Sequence, residues 1–187
     1  QTMSTQLIEC VPNFSEGRDQ ALIKDIVQCF KNTEGCWVLD SRADKDHNRL
    51  VISLAGEPGP VQESLLAAAR VAVDRIDMTT HRGGHPRVGA VDVIPFVPLR
   101  NISMAQCVDL ARAFGQRFHD QIGVPVYLYE DAALRPERRR LEVVRKGQFE
   151  GLQEEIGREE RHPDIGPPQI HPTAGATVIG ARKFLIA

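Results

Sequence analysis

Between Thr79 and Pro98 the chain reads TTHRGGHPRVGAVDVIPFVP, which sets His81, Arg82, His85, Arg87 and Asp92 around a glycine pair. Backbone needs alone explain part of it, since glycine takes permissive angles and proline biases the preceding residue away from helix. The ring, guanidinium and carboxylate side chains are left over. Histidine changes charge near neutral pH, and a glycine-rich loop, Gly84 included, lets a substrate approach the backbone closely. The segment therefore suits proton transfer at the entrance of a strand; two solvated loop histidines are the bland alternative. His81 and His85 are four apart, a metal-ligand spacing on a helix. Two glycines and a proline disfavour a helix there, no cysteine or His-Glu-x-x-His pattern joins them, and no metal is expected.

Asp92 lies in an otherwise apolar run. It either faces solvent on an open sheet face, or is paired and orients His85 or attracts a cationic substrate group. A second polar cluster, Asp46 to Arg49 (DHNR), reads as a hairpin loop in which Arg49 could hold a carboxylate with a planar two-point contact. A third, PNFSEGR from Pro12 to Arg18, offers Asn13, Ser15 and free N–H groups at a helix start as an anion site, or simply a helix cap.

The elements that must position these groups follow from hydrophobic pattern. Leu7 to Val11 reads as a buried strand stopped by Pro12, and Leu22, Ile23, Ile26, Val27 and Phe30 stripe a helix starting near Ser15 to Gly17. Trp37 to Leu39 make a second strand, DSRADKDHNR a polar connection, and Leu50, Ile52 and Leu54 a third strand. Val61, Leu65, Ala69, Ala72 and Ile76 stripe a second helix. Val91 to Pro98 is a fourth strand, and its two prolines place it at an edge or beside a bulge. The order β-α-β-β-α-β is that of a ferredoxin-like α+β core, a mixed or antiparallel sheet with helices on one face and the other face open. Ser103 and Gln106 form a capping box for a further helix, and Val124 to Tyr129 is a fifth strand. We divide the single domain of residues 1–187 into a tail (1–6), the core (7–129), a charged surface crossing with one or two short helices (130–172) and a returning terminal strand (173–187).

The 187 residues suffice for one buried core, and 42% hydrophobic and 26% charged residues are ordinary globular usage. A formal charge of -2 argues against a dedicated nucleic-acid binder. Cys10, Cys29, Cys36 and Cys107 form no Cys-x-x-Cys pair and read as reduced core thiols. No basic-then-apolar leader opens the chain and no apolar run reaches the ~20 residues of a membrane helix, so a cytoplasmic protein without membrane contact is expected.

Taken together, ECVPNFSEG, HNR, HRGGHPRVGAVDVIPFVP, FGQRF, VPVYLYE and GATVIGARKFLIA resemble, in order from Leu7 to Ala187, the N-terminal subdomain of the glutamate formimidoyltransferase family. That family includes the transferase part of formimidoyltransferase-cyclodeaminase. The resemblance implies transfer of a formimino group from N-formimino-L-glutamate to tetrahydrofolate, the co-substrate, giving 5-formiminotetrahydrofolate and glutamate in histidine breakdown. The family's catalytic histidine is the one followed by Pro-Arg, here His85. Arg49 and Arg87 then have substrate carboxylates to bind. The family's transferase builds a folate tunnel between two subdomains, and this chain ends where the second would begin. A homodimer or a C-subdomain partner is therefore expected to complete the site; a non-catalytic folate or acidic-metabolite binding module is the alternative.

Overall fold

The computed structural model describes residues 5–185. Its sheet opens with β1 (Leu7–Cys10) and β2 (Asn13–Phe14), two pieces of one line broken at Val11 and Pro12, followed by α1 (Gln20–Lys31), β3 (Cys36–Asp44), β4 (Arg49–Gly56) and α2 (Pro58–Arg75). After the His81–Ala90 loop come β5 (Val91–Arg100), α3 (Met104–Ile122) and β6 (Val126–Glu130). The short helices α4 (Leu141–Val144) and α5 (Gln148–Glu155) precede β7 (Thr177–Ala181). The strands lie in the order β3, β4, the β1–β2 line, β5, β7, β6. From β3 to β5 every pairing is antiparallel, as a ferredoxin-like core requires. Strand β7 then enters between β5 and β6, parallel to both, so the sheet is mixed and the fold is α+β.

The pattern of each element accounts for its place. In β4, Leu50, Ile52 and Leu54 are fully buried on the face covered by α1, α2 and α3, where Phe14, Phe30, Phe96, Phe114 and Phe118 fill the core. Alternation puts Tyr127, Tyr129, Val93 and Val178 on the opposite face, and Val144 of α4, Leu152 of α5 and Ile156 just after it cover them there. The crossing thus supplies a second small core over β5, β7 and β6, which the strand order β5, β7, β6 leaves otherwise bare. Over β3 and β4 that same face stays open, with Trp37 and Leu39 exposed by 57% and 61%. Helix α3 starts on the Ser103–Gln106 capping box, both of whose bonds are formed.

Three expectations are corrected. Strand β3 does not stop at Leu39 but runs to Asp44, leaving only residues 45–48 as the connection. It is an edge strand with mostly exposed side chains, so nothing forces an apolar alternation on Asp40 to Asp44. Helix α1 begins at Gln20, not near Ser15, because Asp19 is the residue whose carboxylate accepts the Leu22 N–H (3.1 Å). Strand β5 is central rather than at an edge. Its prolines are tolerated because Pro95 stands beside the break between β1 and β2, where its carbonyl accepts the Val11 N–H (3.3 Å), and Pro98 lies opposite Ile8 where the register shifts.

Candidate active site

Three loops meet at one end of the sheet: residues 12–18 before α1, the β3–β4 turn, and the loop ahead of β5. Asn48 joins them. Its backbone takes a positive φ of 50°, a conformation asparagine tolerates better than most residues, and it is buried. Its Oδ1 accepts the Gly17 N–H (2.8 Å), its Nδ2 donates to the Arg82 carbonyl (3.0 Å), and its own carbonyl lies 3.1 Å from His81 Nε2. The backbones approach so closely that a β-carbon on Gly83 would lie 2.3 Å from the His47 carbonyl oxygen. Gly84 has no such neighbour; its N–H donates to the Asp46 carbonyl (3.0 Å).

The two histidines of the loop have opposite fates. Arg87 Nε can only donate, so its 2.9 Å contact makes His81 Nδ1 an acceptor and assigns the ring proton to Nε2, which donates to the Asn48 carbonyl. Both nitrogens of this buried ring are occupied, and burial holds its pKa below the ordinary histidine value, with the Arg87 charge adding to the effect. His85 is half-buried. Its Nδ1 lies 2.7 Å from the Pro86 carbonyl, an acceptor only, so Nδ1 carries the proton and Nε2 keeps a free lone pair. Burial lowers its pKa, as do the charges of Arg49 and Arg145, while the Pro86 bond and Asp92 oppose the shift. A neutral imidazole with an open Nε2 is a base ready to take a proton.

Arg87 spends all five of its N–H groups inside the chain. Nε donates to His81, Nη2 to the His81 carbonyl (3.1 Å) and Glu150 (2.7 Å), and Nη1 to Glu150 (2.8 Å) and Gln148 (3.1 Å). The paired guanidinium pulls the Glu150 carboxyl down to about 2. Asp92, also buried, accepts the Val88 N–H (2.6 Å) and Gly89 N–H (3.3 Å) on Oδ1 and meets Arg145 Nη2 at 2.7 Å on Oδ2. Of its two sequence-level readings, the pairing is the one present, and the partner is Arg145.

Arg49, by contrast, makes no side-chain hydrogen bond or ion pair among the described residues. It lines a narrow cleft with Ser15, His47, His85, Arg87 and Asp92. The N-terminal cluster is turned inward: Ser15 Oγ donates to the Gly89 carbonyl (2.7 Å) and Asn13 Nδ2 to the Val11 carbonyl (3.0 Å). The N–H groups of Ser15, Gly17, Arg18 and Asp19 are all taken by protein acceptors.

Sequence reasoning named His85, Arg49, Arg87, Asp92, Asn13, Ser15 and Gly84; it held His47 and Asn48 only as members of the DHNR cluster, without a role, and missed Asp44, Arg145 and Glu150. Asn48 had a usable signal, an asparagine in a tight hairpin. Arg145 and Glu150 had none, because they reach the loop from about sixty residues downstream.

The site sits in a chain whose residues 7–182 match the formiminotransferase domain, N-terminal subdomain. Formimidoyltransferase-cyclodeaminase of Rattus norvegicus is 51% identical over 183 residues, covering 98% of this chain and 34% of its own length. Glutamate formimidoyltransferase of Streptococcus pyogenes is 46% identical over 182 residues, 97% of this chain and 61% of its own. The enzyme of the same name from Thermoplasma acidophilum is 46% identical over 183 residues, 97% and 60%. The chain thus spans from about a third to three fifths of the length of these relatives. Over nearly all its own length it belongs to the formiminotransferase N-terminal subdomain family.

Proposed function

We propose that this chain carries the proton-transfer half of a formimino transfer from N-formimino-L-glutamate to tetrahydrofolate, in cytoplasmic histidine breakdown. The observation that carries the reading is the His85 ring, whose Nδ1–H is given to the Pro86 carbonyl while Nε2 has no partner among the described residues, in a residue that lines the cleft with Arg49. The folate nitrogen attacks the amidine carbon and loses its proton to Nε2. The electron pair of the breaking C–N bond goes to the glutamate nitrogen, which must gain a proton to leave. The amidine carbon is already electron-poor, so positioning matters more here than an oxyanion hole.

Arg49 is the cleft cation without a protein partner among the described residues, and it is the residue to bind a substrate carboxylate. Arg87, fully engaged, serves instead to hold His81 and the loop. The open sheet face over β3 and β4 supplies one wall for the folate, and a second subdomain or a second copy supplies the other. The test follows the folate product spectrally with formiminoglutamate and tetrahydrofolate, comparing wild type with His85→Ala. Turnover lost in a folded variant supports the reading; turnover unchanged in that variant overturns it. A wild type that binds folate without turnover would favour the binding-module alternative.

A further inference from the structure

Resting on that transfer reading, we propose a division of labour: His85 is the base, and His47, oriented by Asp44, is the acid that protonates the departing glutamate nitrogen. Asp44 ends β3 and pairs in register with Arg49, which starts β4, and His47 and Asn48 of the turn between them line the cleft. Its Oδ1 accepts the N–H groups of Asp46 (2.9 Å) and His47 (3.0 Å), and its Oδ2 lies 2.5 Å from His47 Nδ1. Those bonds, the His47 backbone N–H foremost, bring the Asp44 carboxyl down to about 2, so the partner of the ring is a carboxylate. Nδ1 of His47 is thus a donor to Asp44, and Nε2 is the ring nitrogen left open.

The tight turn at Asn48 brings that ring to the base. The His47 and His85 ring centroids are 6.1 Å apart with planes at 83°, and both rings line the same cleft as Arg49. A β-carbon built on Gly84 would lie 3.7 Å from His47 Cδ2, so the ring rests on the glycine loop that carries His85. The two environments differ in sign. His85 is half-buried and faces the charges of Arg49 and Arg145, whereas His47 is held by a carboxylate. One ring stands beside two guanidinium charges and the other against a carboxylate, and this difference in contacts is what we assign to base and acid work.

The proton balance closes. The new bond joins the folate nitrogen to the amidine carbon, and the folate N–H proton goes to His85 Nε2. As the carbon–nitrogen bond to glutamate breaks, its electron pair stays on that nitrogen, which takes the Nε2 proton of His47; the ring enters this step as the imidazolium, its Nδ1–H held by Asp44. His85 ends charged and His47 neutral. Exchange with water resets both, and the His47 side chain is 46% exposed to it. A single ring doing both tasks would have to take the proton and return it from the same Nε2, reaching the folate nitrogen and the glutamate nitrogen in turn.

His47→Gln is expected to lower kcat about 100-fold with KM little changed, as loss of a general acid does. Added imidazole should restore part of the rate in this variant and none in wild type. Asp44→Asn should lower kcat about tenfold, and long-range proton–nitrogen spectra of the wild-type chain should show the neutral His47 ring protonated on Nδ1, a preference that Asp44→Asn abolishes. Wild-type kcat in His47→Gln, a loss confined to KM, a loss that imidazole leaves untouched, or a His47 ring protonated on Nε2 would each overturn the division while leaving His85 and the transfer reading in place. If His85→Ala keeps full turnover, or if wild type has none, the transfer reading fails and takes this inference with it.

Discussion

The inner layer of the site and its rim use the same kinds of side chain to opposite ends. In the inner layer His81, Arg87 and Asp92 are buried and their polar atoms are matched to partners: Arg87 to His81, Glu150 and Gln148, Asp92 to Arg145 and two backbone N–H groups. At the rim His85, Arg49 and His47 each keep a donor or acceptor that has no protein partner among the described residues. A histidine or an arginine is therefore not a site by its type. The inner groups fix three loops in place, as buried polar groups must be matched to be tolerated, and the rim groups are what a substrate can still bond.

The sharpest way to break this comparison is to exchange the roles of the two loop histidines. His85→Ala should cut turnover by about 10²- to 10⁴-fold and leave thermal stability within ~0.5 kcal/mol of wild type, because its one bond to the chain is to its neighbour's exposed carbonyl. His81→Ala should do the reverse in kind, costing about 2 kcal/mol by orphaning the Arg87 Nε–H and the Asn48 carbonyl. Kinetics and melting on both variants decide it; a His81→Ala chain as stable as wild type would show that the inner layer is not a brace.

Next in size is Arg87→Met, for which we expect a loss of about 2 to 3 kcal/mol in denaturant unfolding. The figure sits at the low end for a broken buried pair because the Glu150 side chain is 57% exposed and rehydrates readily. Arg49→Lys comes after it. A lysine keeps the charge and loses the planar two-point grip, so KM for the formimino donor should rise about tenfold while unfolding is unchanged within ~0.5 kcal/mol. An Arg49→Lys variant with altered stability and unaltered KM would move Arg49 from rim to inner layer.

How much of this was legible in the sequence depends on how far apart the partners lie. Local pattern gave the helices and most strands, because the Leu50, Ile52, Leu54 alternation and the Ser103–Gln106 capping box are written within a few residues. Strand β3 past Leu39 was invisible because an exposed edge strand needs no apolar repeat. The central position of β5 was misread because proline's missing N–H is harmless beside a gap in the neighbouring strand, and that gap is a tertiary fact. At the site, His85 was marked by resemblance, while the physical reason to prefer it over His81 is the Arg87 Nε contact, which no spacing rule contains. The partners of Arg87 and Asp92 lie 63 and 53 residues away, and pairings at that separation leave no periodic trace.

The smallest effect we expect is on stability against pH, and it separates the layers once more. His81 has a folded pKa below the 6.5 of the free side chain, so its burial as a neutral ring supports folding fully above about pH 6.5. That support falls as the pH drops, because the unfolded chain then binds the proton more readily. Glu150 follows at lower pH: its carboxyl sits at about 2 against an ordinary 4.5, so its share persists above 4.5 and is lost toward 2, reduced by its exposure. Urea unfolding across pH 7 to 3 should therefore weaken wild type in two stages. His81→Gln should flatten the first without removing it, since His85 and His171 are shifted in the same direction, and Arg87→Met should flatten the second. A first stage as steep in His81→Gln as in wild type would mean that His81 takes up a proton as readily in the folded chain as in the unfolded one, against its contact with the Arg87 donor.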